Sequence, residues 1–276
     1  MQTSKPAVQD LLLTKKPLLM GILNITPDSF SDGRKYFKIE DAINHAEKLI
    51  EDGVDIIDIG GESTRPQAEP VSEEEELRRV IPIVKHCRDA VPQHLISIDT
   101  YKSNIAQLAL IAGADMINDV SGLTMDREMV HVAAKAKCPI VIMHNNGIPA
   151  TKPETVNRPP LASLASGGRT GEPAIIEEVY NWLKKQTNFA IKNGVKQENI
   201  IIDPGIGFGK TAEEDLALIE NLSEFKLLGF PILVGPSRKS FIKKLFPDCN
   251  IEIKSKEMIE LAIQNGADVV RVHFDF

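Results

Sequence analysis

Eight short apolar runs, at 18–23, 54–59, 95–98, 115–120, 139–143, 200–202, 231–234 and 268–273, recur along the whole chain with amphipathic stretches between them. They are rich in Ile, Val and Leu and do not alternate strictly, the pattern of parallel strands covered on both faces. The intervening stretches carry helix signals. Ser72 before four glutamates at 73–76 reads as an N-cap with an acidic first turn, and Glu172-Pro173 opens an amphipathic segment reaching about residue 192. Gly53-Val54-Asp55, Gly113-Ala114-Asp115 and Gly266-Ala267-Asp268 each set a glycine between a helix and the next strand, where a left-handed C-cap has no Cβ to accommodate. The chain reads as a repeated βα unit.

Strands and helices in strict alternation either close as a barrel or lie in an open doubly wound sheet. The polar residues favour the barrel. Asn24, Asp58, Asp99, Asn118, His144, Asp203, and the pair Arg271 and His273 stand at the C-terminal ends of the runs. A (βα)8 barrel gathers all such ends at one mouth, whereas an open sheet uses only those at its switch point. The expected fold is α/β, a (βα)8 TIM barrel spanning 1–276 as a single domain. Residues 145–171, rich in Pro, Gly, Ser and Thr, are expected to form a long loop insertion after strand 5. After His273 only Phe274, Asp275 and Phe276 remain. The eighth helix is therefore expected to be missing, as in a shortened chain, with an exposed apolar groove beside the 18–23 strand.

Composition narrows the partners. Of 276 residues, 42% are hydrophobic and 26% charged, which excludes a disordered chain. A net charge of −7 does not attract nucleic acid or anionic lipid, so an anionic ligand needs a local basic pocket. No apolar run approaches the roughly 18 residues of a membrane span. Cys87, Cys138 and Cys249 fit neither a disulfide framework nor a zinc site, and the cytoplasm is the default compartment.

Single motifs leave alternatives open. Residues 203–211 fail as a P-loop at Pro204 and as a dinucleotide fingerprint at Lys210. What remains is Asp203, three close glycines and Phe208, either a tight turn or a place where backbone approaches a ligand. The 60–66 stretch (GGESTRP) is a ligand loop or a flexible one. Ser237-Arg238-Lys239-Ser240 is an anion site built on a helix start, or a solvated helix end. Asp99 caps a turn or binds ligand N–H groups, and Asn24 is a turn residue or an oxygen ligand for a hard cation such as Mg2+. His144 is a core-edge imidazole or a ligand contact. His45, His86, His94 and His131 are expected on the surface, and Trp182 in packing.

Taken together and in order, 21–33 (GILNITPDSFSDG), 60–66, 97–100 (SIDT), 117–119 (IND), 203–210 (DPGIGFGK), 237–240 (SRKS) and 271–273 (RVH) resemble the signatures of the dihydropteroate synthase family along nearly the whole chain. The chain departs from that pattern in the insertion after Asn145-Asn146-Gly147 and in Phe274, which stands at a position the family gives to Asp.

The resemblance implies a pterin-binding barrel that condenses 6-hydroxymethyl-7,8-dihydropterin pyrophosphate with p-aminobenzoate, giving 7,8-dihydropteroate and pyrophosphate. It further implies Arg271 and His273, with Thr64 and Arg65, on the pyrophosphate, and Mg2+ held through Asn24. Asp99, Asn118, Asp203 and Lys239 would bind the pterin, Asp99 and Asp203 lying away from the anion corner. Phe208 and Pro66 would line the benzoate slot and Ser240 would bind its carboxylate. Phe30, with Asp28 and Asp32, would belong to a loop that closes over the cation and excludes water. The catalytic set would be Asp99, Lys239, Arg271, His273, Asp28 and Asp32. A non-catalytic pterin-binding protein and a methyltetrahydrofolate methyltransferase are the alternative readings; the latter has no use for the SRKS and RVH elements. Small-molecule substrates, no nucleic acid, no membrane and a homodimer complete the expectation.

Overall fold

A computed structural model describes residues 8–14, 17–25, 39–64, 68–147 and 174–274. The strands are β1 (Leu18–Asn24), β2 (Ile56–Gly60), β3 (Leu95–Asp99), β4 (Met116–Asp119), β5 (Ile140–Met143), β6 (Ile200–Asp203), β7 (Leu233–Val234) and β8 (Val269–Val272). All pair in parallel in the order β6-β5-β4-β3-β2-β1-β8-β7. A parallel bridge between Ile202 and Ile232, with Ile202 N donating to Pro231 O at 2.9 Å, joins the two ends of that order. The sheet is a barrel.

Its helices are α1 (Val8–Thr14), α2 (Ile39–Glu51), α3 (Glu73–Ala90), α4 (Ser103–Ala112), α5 (Met129–Ala136), α6 (Ala174–Lys192), α7 (Ala212–Glu220), α8 (Leu222–Phe225), α9 (Ser240–Leu245) and α10 (Ile251–Gln264). Ser72 caps α3 by accepting from Glu75 N, and Thr211 and Glu214 form a reciprocal capping box on α7. Gly53, Gly113 and Gly266 all have positive φ ahead of their strands, as the repeated cassette requires. Among the described residues, no helix is long and apolar enough to cross a membrane.

Strand side chains alternate between barrel interior and helix layer. The outward set, including Leu23, Ile57, Ile96, Ile117, Ile142, Ile202 and Val270, packs with the helices in the main core. The inward set changes character along the strands. At the base, Leu18, Met20, Ile56, Leu95, Met116, Val141, Ile201, Leu233 and Val269 form an apolar floor joined by Val8 and Leu12 of α1. One inward step higher stand Asp58, Ser97, Asn118, Asp203 and Arg271. Asn24, Asp99 and His273 follow at the rim. An apolar floor under a polar mouth confines ligand chemistry to one end of the barrel.

Three expectations need correction. His144 does not join the mouth. Met143 is the inward residue of that strand end, so His144 turns outward, its ring set edge-on to Trp182 with centroids 5.0 Å apart. His45, His86 and His94 are half-buried rather than on the surface, because they lie where helices or a turn meet the core; only His131 is exposed. The flank of β1 and β8 is not an exposed apolar groove. Val270, Val272 and Leu23 are buried in the main core, and Phe274 packs against it. At Gly21 an added Cβ would lie 2.8 Å from Val54 Cγ1 and 3.0 Å from Leu49 Cδ2, so the missing side chain lets α2 and the turn after it settle on β1. Leu12 goes under the floor and Leu13 into solvent, so α1 does not cover that flank. The loop expected over 145–171 lies, from residue 148 onward, outside the described residues.

Candidate active site

A cavity of 570 Å³ opens at the C-terminal ends of the strands. Asn24, Thr64, Asp99, Asn118, Asp203, Phe208, Lys239, Ser240, Arg271 and His273 all line it, bringing the described members of the sequence-derived set together. Phe30, Asp28, Asp32, Arg65 and Pro66 lie outside the described residues.

The guanidinium of Arg271 dominates one side. Its Nε donates to Asp58 Oδ2 at 2.6 Å and its Nη2 to Asp99 Oδ2 at 2.7 Å. Asn118 Nδ2 donates to the same Asp58 oxygen at 3.0 Å. Asp58 is fully buried. Burial opposes the charge on Arg271, but Asp58 and Asp99 outweigh it and hold its pKa above the ordinary arginine value. Asp99 is therefore not clear of the anion corner, as expected from strand order, but bonded to its principal cation. The reason is reach: an inward arginine on β8 passes over β1 to the ends of β2 and β3. Burial lifts the Asp99 carboxyl to about 7 despite Arg271, with nearby carboxylates pushing the same way.

Asp203 and Lys239 form the opposite side. Burial raises Asp203 to about 6, against the pull of the Gly205 N–H at 2.7 Å and of Lys239. Burial and the neighbouring Arg271 lower Lys239 to about 8, and its Nζ sits 4.6 Å over the Phe208 ring. Phe208 packs with Val120 and Met143. His273 Nδ1 and Ser237 Oγ are 3.3 Å apart, and the His273 backbone N–H donates to the same oxygen. Ser240 is exposed at the start of α9. Arg238 has φ 54, its guanidinium paired with Glu252 at 3.0 Å.

The glycine turn after β6 is held by residues that sequence reasoning did not assign. Lys210 Nζ is buried and donates to Gly205 O at 2.7 Å, while Gly207 N donates to Asp215 Oδ1 at 2.7 Å. Gly205 has φ +73, and a Cβ there would lie 1.8 Å from His144 O, so the turn admits no side chain at that point. Glu62 and Ser63 also line the cavity without having been singled out. Their only sequence signal was membership of the GGESTRP stretch.

The donor set is suited to a hard cation brought by its ligand. A Cβ at Gly60 would meet Asn24 Oδ1 at 3.4 Å and Asp99 Oδ2 at 3.5 Å, so both oxygens border one gap at the rim. Among the described residues, no group of three or more His, Cys, Asp or Glu could hold a metal unaided. Mg2+ typically takes one or two protein oxygens and completes its shell with water and substrate phosphates. Asn24 fits that role.

Residues 20–273 match the family model for pterin binding enzymes. Dihydropteroate synthase of Synechocystis sp. is 46% identical over 94% of this chain and 86% of its own length, and that of Bacillus subtilis 43% identical over 98% and 87%. Among solved structures, Xanthomonas albilineans dihydropteroate synthase with 4-aminobenzoic acid superposes with a TM-score of 0.80 at 36% identity, covering 94% of this chain and 88% of that one.

Proposed function

The chain belongs to the pterin-binding enzyme family, as a dihydropteroate synthase, and on that premise we propose how its mouth condenses 6-hydroxymethyl-7,8-dihydropterin pyrophosphate with p-aminobenzoate. The observation that carries the proposal is the pairing of two opposed charge clusters, Arg271 with Asp58 and Asp99, and Asp203 with Lys239, around one cavity above an apolar floor.

Asp203 accepts hydrogen bonds from the pterin's amino and ring N–H groups, Asn118 matches its mixed donor and acceptor edge, and Lys239 donates to a ring acceptor. Asp99 shares that task and orients Arg271. The C–O bond to pyrophosphate breaks as positive charge spreads over the pterin, a cation that ionised Asp99 and Asp203 stabilise. Arg271, His273 and the Thr64 hydroxyl receive the departing anion. Asn24 would hold Mg2+, whose contribution when bound is to neutralise charge on the pyrophosphate oxygens. The p-aminobenzoate amine attacks the methylene carbon, forms the C–N bond and gives its proton to water. Its ring lies against Phe208 and its carboxylate meets Ser240 and the adjacent helix amides. No protein group becomes a covalent nucleophile. The benzoate joins after the pterin pyrophosphate, because its slot is completed by residues around the anion.

Pyrophosphate release, measured with Mg2+ and the pterin pyrophosphate in the presence and absence of p-aminobenzoate, tests this reading. Release that depends on p-aminobenzoate is expected. Release at the same rate without it, or none with it, would overturn the reading.

A further inference from the structure

We propose that Lys102 is a positioning residue: with Glu76 of α3 it clamps the Glu62 carboxylate, and thereby sets Ser63 and Thr64 against the pyrophosphate of the bound pterin. This deepens the functional reading above and rests on it.

The clamp uses all three donors of the Lys102 ammonium. Its Nζ donates to Glu62 Oε2 at 2.5 Å, to Glu76 Oε2 at 2.6 Å and to Val71 O at 2.6 Å. The second oxygen of each glutamate is also engaged. Tyr101 Oη donates to Glu62 Oε1 at 2.6 Å, and Thr100 Oγ1 donates to Glu76 Oε1 at 2.8 Å. Burial opposes the charge on Lys102, yet the bonds to Glu62 and Glu76 outweigh it and keep its pKa above the ordinary lysine value.

The backbone is pinned at the same place. Arg79 Nη1 donates to Gly61 O at 2.8 Å. Gly61 lies so close to α3 that a Cβ would meet Val80 Cγ1 at 2.8 Å and Glu76 Cγ at 2.9 Å. Where the chain returns, Val71 N donates to Glu62 Oε2 at 3.3 Å while Val71 O accepts from Lys102. The stretch that presents Ser63 and Thr64 to the cavity is thus tied down ahead of them and again at Val71.

Electrostatics gives the cluster a second role. Glu62 lines a cavity that must admit a pyrophosphate, and an unpaired carboxylate there would repel it. A buried ionic group is weak evidence of a contribution to stability, since apolar residues of similar volume often serve as well. Its place beneath two hydroxyl side chains at the mouth is what an anion-positioning device requires.

The test compares two ligands by calorimetry in the presence of Mg2+: 6-hydroxymethyl-7,8-dihydropterin pyrophosphate, and 6-hydroxymethylpterin, which lacks the anion. In Lys102→Met the first should bind at least tenfold more weakly and the second within twofold of the unsubstituted protein. Lys102→Arg should recover most of the loss, and Tyr101→Phe, which removes one bond to Glu62, should weaken only the first ligand by a few-fold. If Lys102→Met does not fold, Tyr101→Phe decides by the same criterion, with Lys102→Arg expected to bind both ligands within a few-fold of the unsubstituted protein. Equal weakening of both ligands, or of neither, overturns the clamp. Failure of the unsubstituted protein to bind the pterin pyrophosphate would overturn the functional reading and the clamp with it.

Discussion

Arg271 on β8 and Asp58 on β2 meet across the barrel at 2.6 Å, with an intervening strand beneath the contact. A cation that lines the cavity is thus held in place by a fully buried carboxylate that does not. Arg271→Ala should weaken pyrophosphate binding by about 1.5–3 kcal/mol, the worth of a charge-assisted hydrogen bond. It should also cost about 3–5 kcal/mol of stability, because Asp58 is left a buried charge without its cation, with only the Asn118 amide still bonded to it. Adding Asp58→Asn should restore part of the stability and none of the affinity. Calorimetry and urea unfolding read the two effects; a double variant no more stable than Arg271→Ala would contradict the pairing.

Asp203 and Asp99 make ligand-free stability depend on pH. Burial lifts them to about 6 and about 7, so the folded protein holds more protons than the unfolded chain from roughly pH 4 upward. Their contribution therefore falls as pH rises through that window. Asp203→Asn should flatten the fall between pH 4.5 and 7, seen in unfolding midpoints. The same variant should lose pterin affinity and keep pyrophosphate affinity. In the unsubstituted protein pterin affinity should drop below about pH 6, where the carboxylate must first give up a proton. A variant whose unfolding midpoints track the parent at every pH would count against Asp203.

Lys210→Met keeps the buried stem and removes the donor to Gly205 O. A loss of about 1.5–3 kcal/mol is expected from the lost charge-assisted hydrogen bond, with Gly205 O left only the Phe208 N–H at 3.2 Å. Because the turn presents Phe208, KM for p-aminobenzoate should rise several-fold while KM for the pterin pyrophosphate changes less. Steady-state kinetics with each substrate varied in turn will show it, and unchanged values for both would refute the link.

Asn24→Ala tests the cation. In the parent protein Mg2+ should tighten pyrophosphate binding; in the variant that gain should vanish while Mg2+-free binding is retained. An undiminished gain would remove Asn24 from the role.

Much of the mouth was legible because strand ends are local: an apolar run that stops at Asn24, Asp99 or Asp203 announces its own rim residue. Parity was harder. Met143 and His144 are adjacent, and only the register of β5 against β6 decides which of them faces inward. The contact of Asp99 with Arg271 was hidden for a different reason. Its length depends on strand tilt and stagger, which no single strand encodes. Glu62, Glu76 and Lys102 belong to a loop, a helix and a second loop, so their convergence exists only in the packed molecule.

The floor under that mouth bears on the order of folding. Val8 and Leu12 share one apolar cluster with inward residues from every strand, from Leu18 on β1 to Val269 on β8. The first helix of the chain can therefore complete its contacts only once the last strand has joined the first, and those contacts are expected to form beyond the folding barrier. Weakening them acts on the rate of leaving the native state and spares the rate of reaching it. Leu12→Ala should steepen loss of structure in an unfolding-rate series while refolding rates overlay those of the parent. The segment at the start of the chain is in this sense a kinetic lock on the end.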